Sequence, residues 1–72
     1  MEPLRKQFGR RVQSLRIAAG VTQEQLADEV GVTIESISNI ERGIHGPSFD
    51  NLEKLARALK VPVCRLFEFD AS

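Results

Sequence analysis

At 72 residues the chain is long enough for one domain and too short for two. Apolar residues make up 42% of it and charged residues 28%, which excludes an intrinsically disordered chain, and no apolar run approaches the roughly 18–20 residues of a membrane-spanning helix. The single cysteine excludes an internal disulfide, and the first residues lack the apolar stretch of a signal peptide. We therefore expect a globular, cytoplasmic protein that does not associate with membranes.

The formal net charge is zero, but the charges are unevenly distributed along the chain. Residues 1–20 have five basic and one acidic side chain, whereas residues 21–41 have five acidic side chains and no basic one. Residues 42–60 are basic again, with four basic and two acidic side chains. Because association depends on the local field of a surface rather than on total charge, this chain can still present a basic face to phosphates if residues 5–16 and 42–60 flank one face.

A first helix is predicted over residues 3–19, because apolar residues recur there at three- and four-residue steps and form one stripe. The stripe consists of Leu4, Phe8, Val12 and Leu15. Pro3 suits the first turn of a helix, and Gly20 follows the last apolar position, where a left-handed cap is expected.

Two further helices are predicted in close succession. The second begins at Thr22, because Thr22-Gln23-Glu24-Gln25 has the form of a capping box, and it ends after about eight residues at Gly31. The third is capped by Thr33, carries Glu35 in its positive first turn and stops at Gly43. The side chains expected to face the core are Leu26, Ala27, Val30, Ile37 and Ile40.

Ser48 is the predicted cap of a fourth helix, and Pro62 fits the first turn of a short fifth helix that contains Leu66 and Phe67. The apolar face of the fourth helix consists of Phe49, Leu52, Leu55, Ala56 and Leu59. Five short helices joined by tight turns predict an all-α fold, a compact bundle with orthogonal crossings.

The stretch 22–43 has the pattern of a helix-turn-helix: a short capped helix, a tight turn that holds Gly31, and a second helix of about ten residues. Glycine allows the left-handed backbone that such a turn needs, and Ala27 is small where the two helices would cross. The second helix of the motif would protrude far enough to enter a DNA major groove, which is about 12 Å wide.

Six segments of the chain resemble the Cro/CI-type helix-turn-helix family, also called the xenobiotic-response-element type. They are Thr22-Gln23-Glu24-Gln25-Leu26-Ala27, Gly31-Val32-Thr33, Ser36-Ile37-Ser38, Ile40-Glu41-Arg42-Gly43, Pro47-Ser48 and Leu55-Ala56-Arg57-Ala58-Leu59. The resemblance runs from about residue 8 to about residue 67. It implies a single lambda-repressor-like DNA-binding domain over residues 1–72, with its helix-turn-helix in the second and third helices at 22–42.

Stand-alone members of this family include phage repressors, controller proteins of restriction–modification systems and antitoxins. The resemblance therefore implies a transcriptional regulator, acting as a repressor or an autoregulator, that binds double-stranded DNA sequence-specifically as a homodimer. A palindromic operator is the expected partner, and no cofactor or small-molecule ligand is expected.

The resemblance also implies roles for individual positions. Gln23, at the start of the second helix, matches a position that contacts a phosphate and supports the third, or recognition, helix. Arg42 and His45 match the helix end and loop that lie along the DNA backbone. Arg16 and Glu41 match a pair that forms a buried salt bridge between the first and third helices. The exposed face of the recognition helix is matched by Thr33, Ile34, Glu35, Ser38 and Asn39.

Ile34 and Glu35 depart from many members of the family, which have Arg, Gln or Lys at these positions, so a bidentate contact of Arg with guanine is absent here. Ile34 is suited to pack on a thymine methyl, Glu35 to accept from cytosine N4, and Asn39 to pair with adenine N6 and N7. Because phosphates repel a carboxylate, we expect Glu35 to weaken non-specific binding and to gain selectivity by rejection.

These residues also have plain structural interpretations. Gln23 and Asn39 are ordinary solvated helix positions in that interpretation, and Glu35 only complements the helix dipole. For three arginines two interpretations are open, a solvated surface charge or a contact with phosphate: Arg10, Arg11 and Arg42.

Self-association is expected to use the fifth helix and its neighbours, because a chain of this length has no room for a separate dimerisation domain. The candidate interface residues are Val63, Leu66 and Phe69, with Phe49 as a further one. For Phe69, burial in its own core and burial against a second subunit both remain open. Phe67 is expected to complete the core. Dimerisation would place two recognition helices about 34 Å apart.

Chemistry other than binding has little support in the sequence. His45 is the only histidine and has no cysteine near it at ligand spacing, so no metal site is expected. Cys64 is expected to be a plain, partly buried thiol. No tyrosine and no glycine-rich phosphate loop are present, and we do not expect an enzyme.

The alternative function is a protein-interaction module, such as an antitoxin-like domain that binds a protein partner and hardly binds DNA. The zero net charge and the acidic second and third helices favour it. Salt dependence separates the two functions, because binding through several phosphates weakens steeply with salt whereas a hydrophobic protein interface does not.

Overall fold

The computed structural model describes residues 1–69, and this part of the chain contains four α-helices and one 3-10 helix. They are α1 (Leu4–Ala18), α2 (Gln23–Val30), α3 (Ile34–Glu41), α4 (Phe49–Leu59) and the 3-10 helix (Val63–Phe67). The predicted all-α class is confirmed, and none of the described helices is long and apolar enough to cross a membrane. Residues 70–72 of the predicted domain lie outside the described range.

The short fifth helix predicted from the sequence is a 3-10 helix of five residues, so the described chain has four α-helices rather than five. Pro62 precedes this helix in an extended conformation, with ψ at 153°, and does not occupy its first turn. The carbonyl of Pro62 accepts a hydrogen bond from the N–H of Arg65 at 3.0 Å. Pro62 and Glu68 are both extended, so the helix is limited to the five residues between them. This length allows hydrogen bonds between residues three apart, as in a 3-10 helix, but not several turns of α-helix.

Side-chain caps start α2, α3 and α4 at the predicted residues. The Oγ1 atom of Thr22 accepts from the N–H of Gln25 at 3.0 Å, and the side chain of Gln25 accepts from the N–H of Thr22 at 2.9 Å, which completes the capping box. The hydroxyls of Thr33 and Ser48 each accept from the N–H three residues further along, at 3.0 and 3.2 Å. Each cap satisfies a backbone donor that the first turn of a helix leaves free.

Gly31 makes the turn between α2 and α3. Its φ angle is 86°, in the left-handed region that side-chain-bearing residues rarely adopt. The carbonyl of Ala27 accepts from the N–H of Gly31 at 2.8 Å and from the N–H of Val32 at 3.0 Å, which closes the end of α2. Only three residues therefore separate the two helices.

One core lies between all five elements. α1 packs against α3, α2 packs against both α3 and α4, and the 3-10 helix packs against α1 and α4. The buried apolar side chains are Phe8, Val12, Leu26, Ala27, Val30, Ile37, Ile40, Leu55, Ala56, Leu59 and Leu66. Leu4, at the start of the predicted α1 stripe, is instead exposed because it lies one turn beyond the part of α1 that the other helices cover.

Ser48→Ala is expected to lower the free energy of unfolding by about 1 kcal/mol, because it removes the side-chain cap of α4. Ser48 is exposed, so the substitution deletes little packing along with the hydrogen bond. Urea denaturation measures the change, and Ser48→Asp, which retains a capping oxygen, is the matched control. Equal midpoints for the alanine variant and the unsubstituted protein would contradict a stabilising cap.

Candidate nucleic-acid interface

α3 has two faces of opposite character. Ile37, Ile40 and Glu41 are buried against the rest of the domain. The other face is open to solvent: Thr33, Ile34, Glu35 and Arg42 are exposed, and Ser38 and Asn39 are half-buried. Ile34 is 47% exposed although it is a large apolar residue at the first position of the helix. The five residues predicted to form the reading face thus lie on one surface of α3, together with Arg42 at the end of this helix.

Two of these residues also have a structural role. Thr33 uses its hydroxyl oxygen to cap α3, which leaves its O–H available as a donor. Glu35 lies in the first turn of α3, where its carboxylate complements the helix dipole. The structural interpretation of Glu35 and its interpretation as a base-reading residue are therefore compatible, since its side chain is exposed.

The side chain of Gln23 is anchored to the end of α3. Its Nε2 atom donates to Oε1 of Glu41 at 3.0 Å across the helix-turn-helix, and the residue is half-buried. This bond leaves the second N–H and the carbonyl oxygen of the amide without a partner within residues 1–69. Gln23 is also the first residue of α2, where backbone N–H groups favour an anion. Glu41 therefore sets the direction of an amide that stands at an anion-favouring helix end.

Glu41 belongs to a buried ion pair with Arg16. The Nε atom of Arg16 lies 2.6 Å from Oε2 of Glu41 and its Nη2 lies 3.2 Å from Oε1, while Nη1 donates to the carbonyl of Val21 at 2.9 Å. The side chains of Glu41 and Arg16 are 2% and 13% exposed. Within residues 1–69, no buried side-chain nitrogen or oxygen lacks a hydrogen-bond partner. The pair ties the end of α1, the start of α2 and the end of α3 together.

Gly9 places α1 directly against the backbone of α3, a role that was not predicted for it from the sequence. A Cβ atom at Gly9 would lie 2.3 Å from the carbonyl oxygen of Ile40 and 2.7 Å from that of Glu41. Such a helix crossing excludes any side chain at this position. The sequence did contain a signal, since Gly9 is an isolated glycine inside a helical pattern. Glycine destabilises the interior of a helix, so its presence there often indicates a close packing contact.

Arg10 and Arg11, predicted as either solvated or phosphate-contacting, have protein partners on other surfaces. Arg10 forms an exposed ion pair with Glu2, and the hydrogen bond from Arg10 is the main reason that the pKa of the Glu2 carboxyl is lowered. Arg11 donates to the carbonyl of Arg65 at 2.8 Å and lies 3.6 Å from the carboxylate of Glu68. Arg42 ends α3 and His45 lies in the following loop, and both are exposed.

The predicted dimer surface is only partly available. Leu66 is wrong as a surface candidate, since it is 0% exposed and packs in the core between α1 and α4. Val63 is exposed and Phe69 is half-buried against the core. Phe67, expected in the core, is 39% exposed, and its ring lies 5.1 Å from that of Phe8 and 6.3 Å from that of Phe69. The narrow 3-10 helix turns Leu66 inward and leaves its neighbours outside.

The chain is similar over most of its length to proteins that contain this motif. The family described as helix-turn-helix matches residues 12–66. The control protein C.BamHI of Bacillus amyloliquefaciens is 39% identical over 67 residues, which cover 92% of this chain and 83% of that protein.

Two solved structures share the fold. The restriction-modification controller protein C.AhdI from Aeromonas hydrophila is 38% identical, with a TM-score of 0.85 over 88% of this chain and 96% of that one. The P22 c2 repressor protein, solved in complex with a synthetic operator, is 32% identical, with a TM-score of 0.80 and the same shares of both chains. The similarity therefore includes the whole of α2, the turn and α3.

Proposed function

This chain belongs to the helix-turn-helix family, and we propose that it is a transcriptional regulator that binds duplex DNA sequence-specifically and catalyses no reaction of its own. The observation that carries the proposal is the open face of α3, which presents an apolar, an acidic and an amide side chain beside a phosphate-favouring end of α2. The P22 c2 repressor, a neighbour in fold, was solved on an operator. Because its proposed target is duplex DNA, we propose that the protein acts inside the cell, in the cytoplasm.

In this function α3 enters the major groove and reads base edges through residues on its exposed face. Ile34 packs on a thymine methyl, Glu35 accepts from a cytosine amino group and Asn39 pairs with adenine. Gln23 donates its second amide N–H to a phosphate, while Glu41 holds the first. Arg42 and His45 lie along the backbone beyond the other end of α3. Base contacts then set the sequence, and phosphate contacts set the register.

The protein acts as a homodimer on a palindromic operator, so that two copies of α3 reach successive turns of one DNA face about 34 Å apart. The surface proposed for the dimer contains Val63 and Phe69, with Phe67 added because its ring is partly exposed and lies 6.3 Å from the ring of Phe69. Apolar side chains grouped on a surface mark an interaction site more often than single ones do. Analytical ultracentrifugation tests the proposal, and a monomer at high micromolar concentration would contradict it.

Fluorescence anisotropy with purified protein tests DNA binding most directly. The probes are a labelled duplex from upstream of the gene that encodes the protein, and the same duplex scrambled, at 50 and 200 mM salt. We expect a clear preference for the upstream duplex and an affinity that falls steeply with salt, since several phosphate contacts release counterions. Weak binding without preference, also to duplexes selected from a random pool, would contradict the proposal and favour the protein-interaction module.

Glu35→Ala is expected to raise the affinity for scrambled DNA and to reduce the preference for the operator by roughly tenfold, because the carboxylate repels phosphates and accepts from one base. Anisotropy titrations against both duplexes measure the preference. Glu53→Ala is the matched control, since Glu53 is an exposed acid on α4 and its loss changes the net charge equally. Unchanged binding of the Glu35 variant to every duplex would contradict selectivity by rejection.

A further inference from the structure

The start of α1 lies against the turn that follows α3. The Nε atom of Arg5 donates to the carbonyl of Gly43 at 3.0 Å, across 38 residues of sequence. Gly43 is buried and has a φ of 74°. A Cβ atom built on it would lie 2.8 Å from Cα and 2.6 Å from Cγ of Lys6. Glycine at this turn therefore lets two cationic residues of α1 approach the end of the recognition helix.

Three exposed cations surround this turn: Arg5 and Lys6 from α1 and Arg42 from the end of α3. None of the three forms an ion pair with a carboxylate within residues 1–69. The arginines that do form ion pairs in this range are Arg10, Arg11, Arg16 and Arg65. Two acidic residues lie near this group along the chain, and both already have other partners: Glu41, next to Arg42, is paired with Arg16, and Glu2 accepts hydrogen bonds from Arg10. The charge of the turn is thus largely uncompensated on a protein whose net charge is zero.

The hydrogen bond to Gly43 also fixes the direction of the Arg5 guanidinium. Nε is its only side-chain donor with a partner in the described part of the chain, so Nη1 and Nη2 remain available. A guanidinium held in this way loses little freedom when its two terminal nitrogens bind a phosphate. Lys6 supplies a second, more mobile cation from the next residue.

We infer that Arg5, Lys6 and Arg42 form a phosphate-binding surface, here called the α1–turn surface, which grips the DNA backbone beyond the C-terminal end of α3. It presupposes the proposed binding of duplex DNA. A helix lying in the major groove has phosphates on both sides of it, and Gln23, which is hydrogen-bonded to Glu41 at this same end of α3, supplies a further anion contact with the start of α2. The α1–turn surface then provides sequence-independent attraction that offsets the repulsion of phosphates by Glu35.

The test compares two double variants of the full chain with equal loss of charge. Arg5→Gln with Lys6→Gln removes two cations of the α1–turn surface, and Lys54→Gln with Arg57→Gln removes two exposed cations of α4 that lie beside Glu29. The probes are an operator duplex selected from a random pool by the unsubstituted protein and a scrambled duplex of equal length, titrated from 50 to 200 mM salt.

For the Arg5/Lys6 double variant we expect at least about a tenfold loss of affinity near 0.1 M salt. The slope of log affinity against log salt should be shallower by about 3.6, or 0.9 per phosphate contact, because each of the two subunits of the proposed dimer loses two contacts. Both duplexes should be affected alike, so their affinity ratio stays unchanged. The α4 double variant should keep both the affinity and the slope of the unsubstituted protein.

Three results would overturn the inference. The first is an unchanged slope for the Arg5/Lys6 variant when the unsubstituted protein binds its operator selectively, which leaves the proposed function intact. The second is an equal loss for both double variants. The third is an absence of DNA binding by the unsubstituted protein, which would overturn the proposed function as well. Lys6→Gln alone, with an expected slope change of about 1.8 for the dimer, serves if circular dichroism shows that the double variant is misfolded, since Lys6 donates no side-chain hydrogen bond in the described structure.

Discussion

Arg16→Ala is expected to lower the free energy of unfolding by about 3–5 kcal/mol, a large share of the stability of so small a domain. The carboxylate of Glu41 is almost fully buried and accepts two hydrogen bonds from Arg16. Without the guanidinium it retains only the amide N–H of Gln23 at 3.0 Å as a side-chain donor. The cost arises from a buried charge without its counter-ion rather than from the attraction that the pair provides.

Urea denaturation followed by circular dichroism measures this loss, and Arg10→Ala is the control. Arg10 also pairs with a carboxylate, but on an exposed surface, where water screens the charges and such pairs add little to stability. A second comparison identifies the cause. Replacing both partners, by Arg16→Met with Glu41→Leu, should cost less than Arg16→Met alone, because no charge stays buried. A melting temperature equal to that of the unsubstituted protein for Arg16→Ala would refute the burial.

The same loss should weaken DNA binding even where the variant remains folded. Gln23 is directed by Glu41, and Glu41 is held by Arg16, so the amide proposed to contact a phosphate depends on the ion pair. Binding measured at low temperature, where the variant is folded, separates this effect from unfolding.

Gly9→Ala is expected to destabilise the protein by about 2–3 kcal/mol, although alanine favours helices over glycine by about 1 kcal/mol. The added methyl group would meet the backbone oxygens of Ile40 and Glu41 at 2.3 and 2.7 Å. Backbone atoms cannot rotate away as a side chain can, so α1 and α3 must separate. The sign of the effect therefore distinguishes packing from helix propensity.

Thermal and urea denaturation measure the effect of Gly9→Ala against Gly46→Ala. A Cβ atom at Gly46 would meet nothing within 4 Å, so its substitution should change stability by no more than about 0.5 kcal/mol. DNA affinity should fall for the Gly9 variant as well, because α3 is displaced relative to the anion contacts of α1 and α2. A Gly9→Ala variant more stable than the unsubstituted protein would show that the helices do not cross this closely.

The starts of α2, α3 and α4 could be predicted because the signals that set them are local. A hydroxyl that accepts from the N–H three residues further along forms a contact within its own segment, so the cap can be predicted from neighbouring residues. The three examples are Thr22, Thr33 and Ser48. Gly31 likewise needs only its own backbone angles to make the turn. The position of the recognition helix along the chain follows from these signals alone.

Contacts between segments that are distant in the chain could not be predicted from such local signals. The predicted apolar stripes did not show that Leu66 is buried while Phe67 is exposed, because a 3-10 helix turns successive side chains through different angles than an α-helix does. Nor did the charge pattern show which basic residues are neutralised: Arg10 and Arg11 are paired, whereas Arg5 and Lys6 meet the turn after α3.

The sequence by itself thus determined the helix class and the position of the helix-turn-helix along the chain, since periodicity, caps and turns act within about ten residues. The family resemblance had implied that Arg16 pairs with Glu41 and that Gln23 supports α3. Only the tertiary structure decided the close backbone contact at Gly9 and the bond by which Gln23 is joined to Glu41. The physical reason is that close packing and burial depend on which segments meet in space, and the crossing of α1 with α3 brings together residues that lie about 25–40 positions apart in the chain.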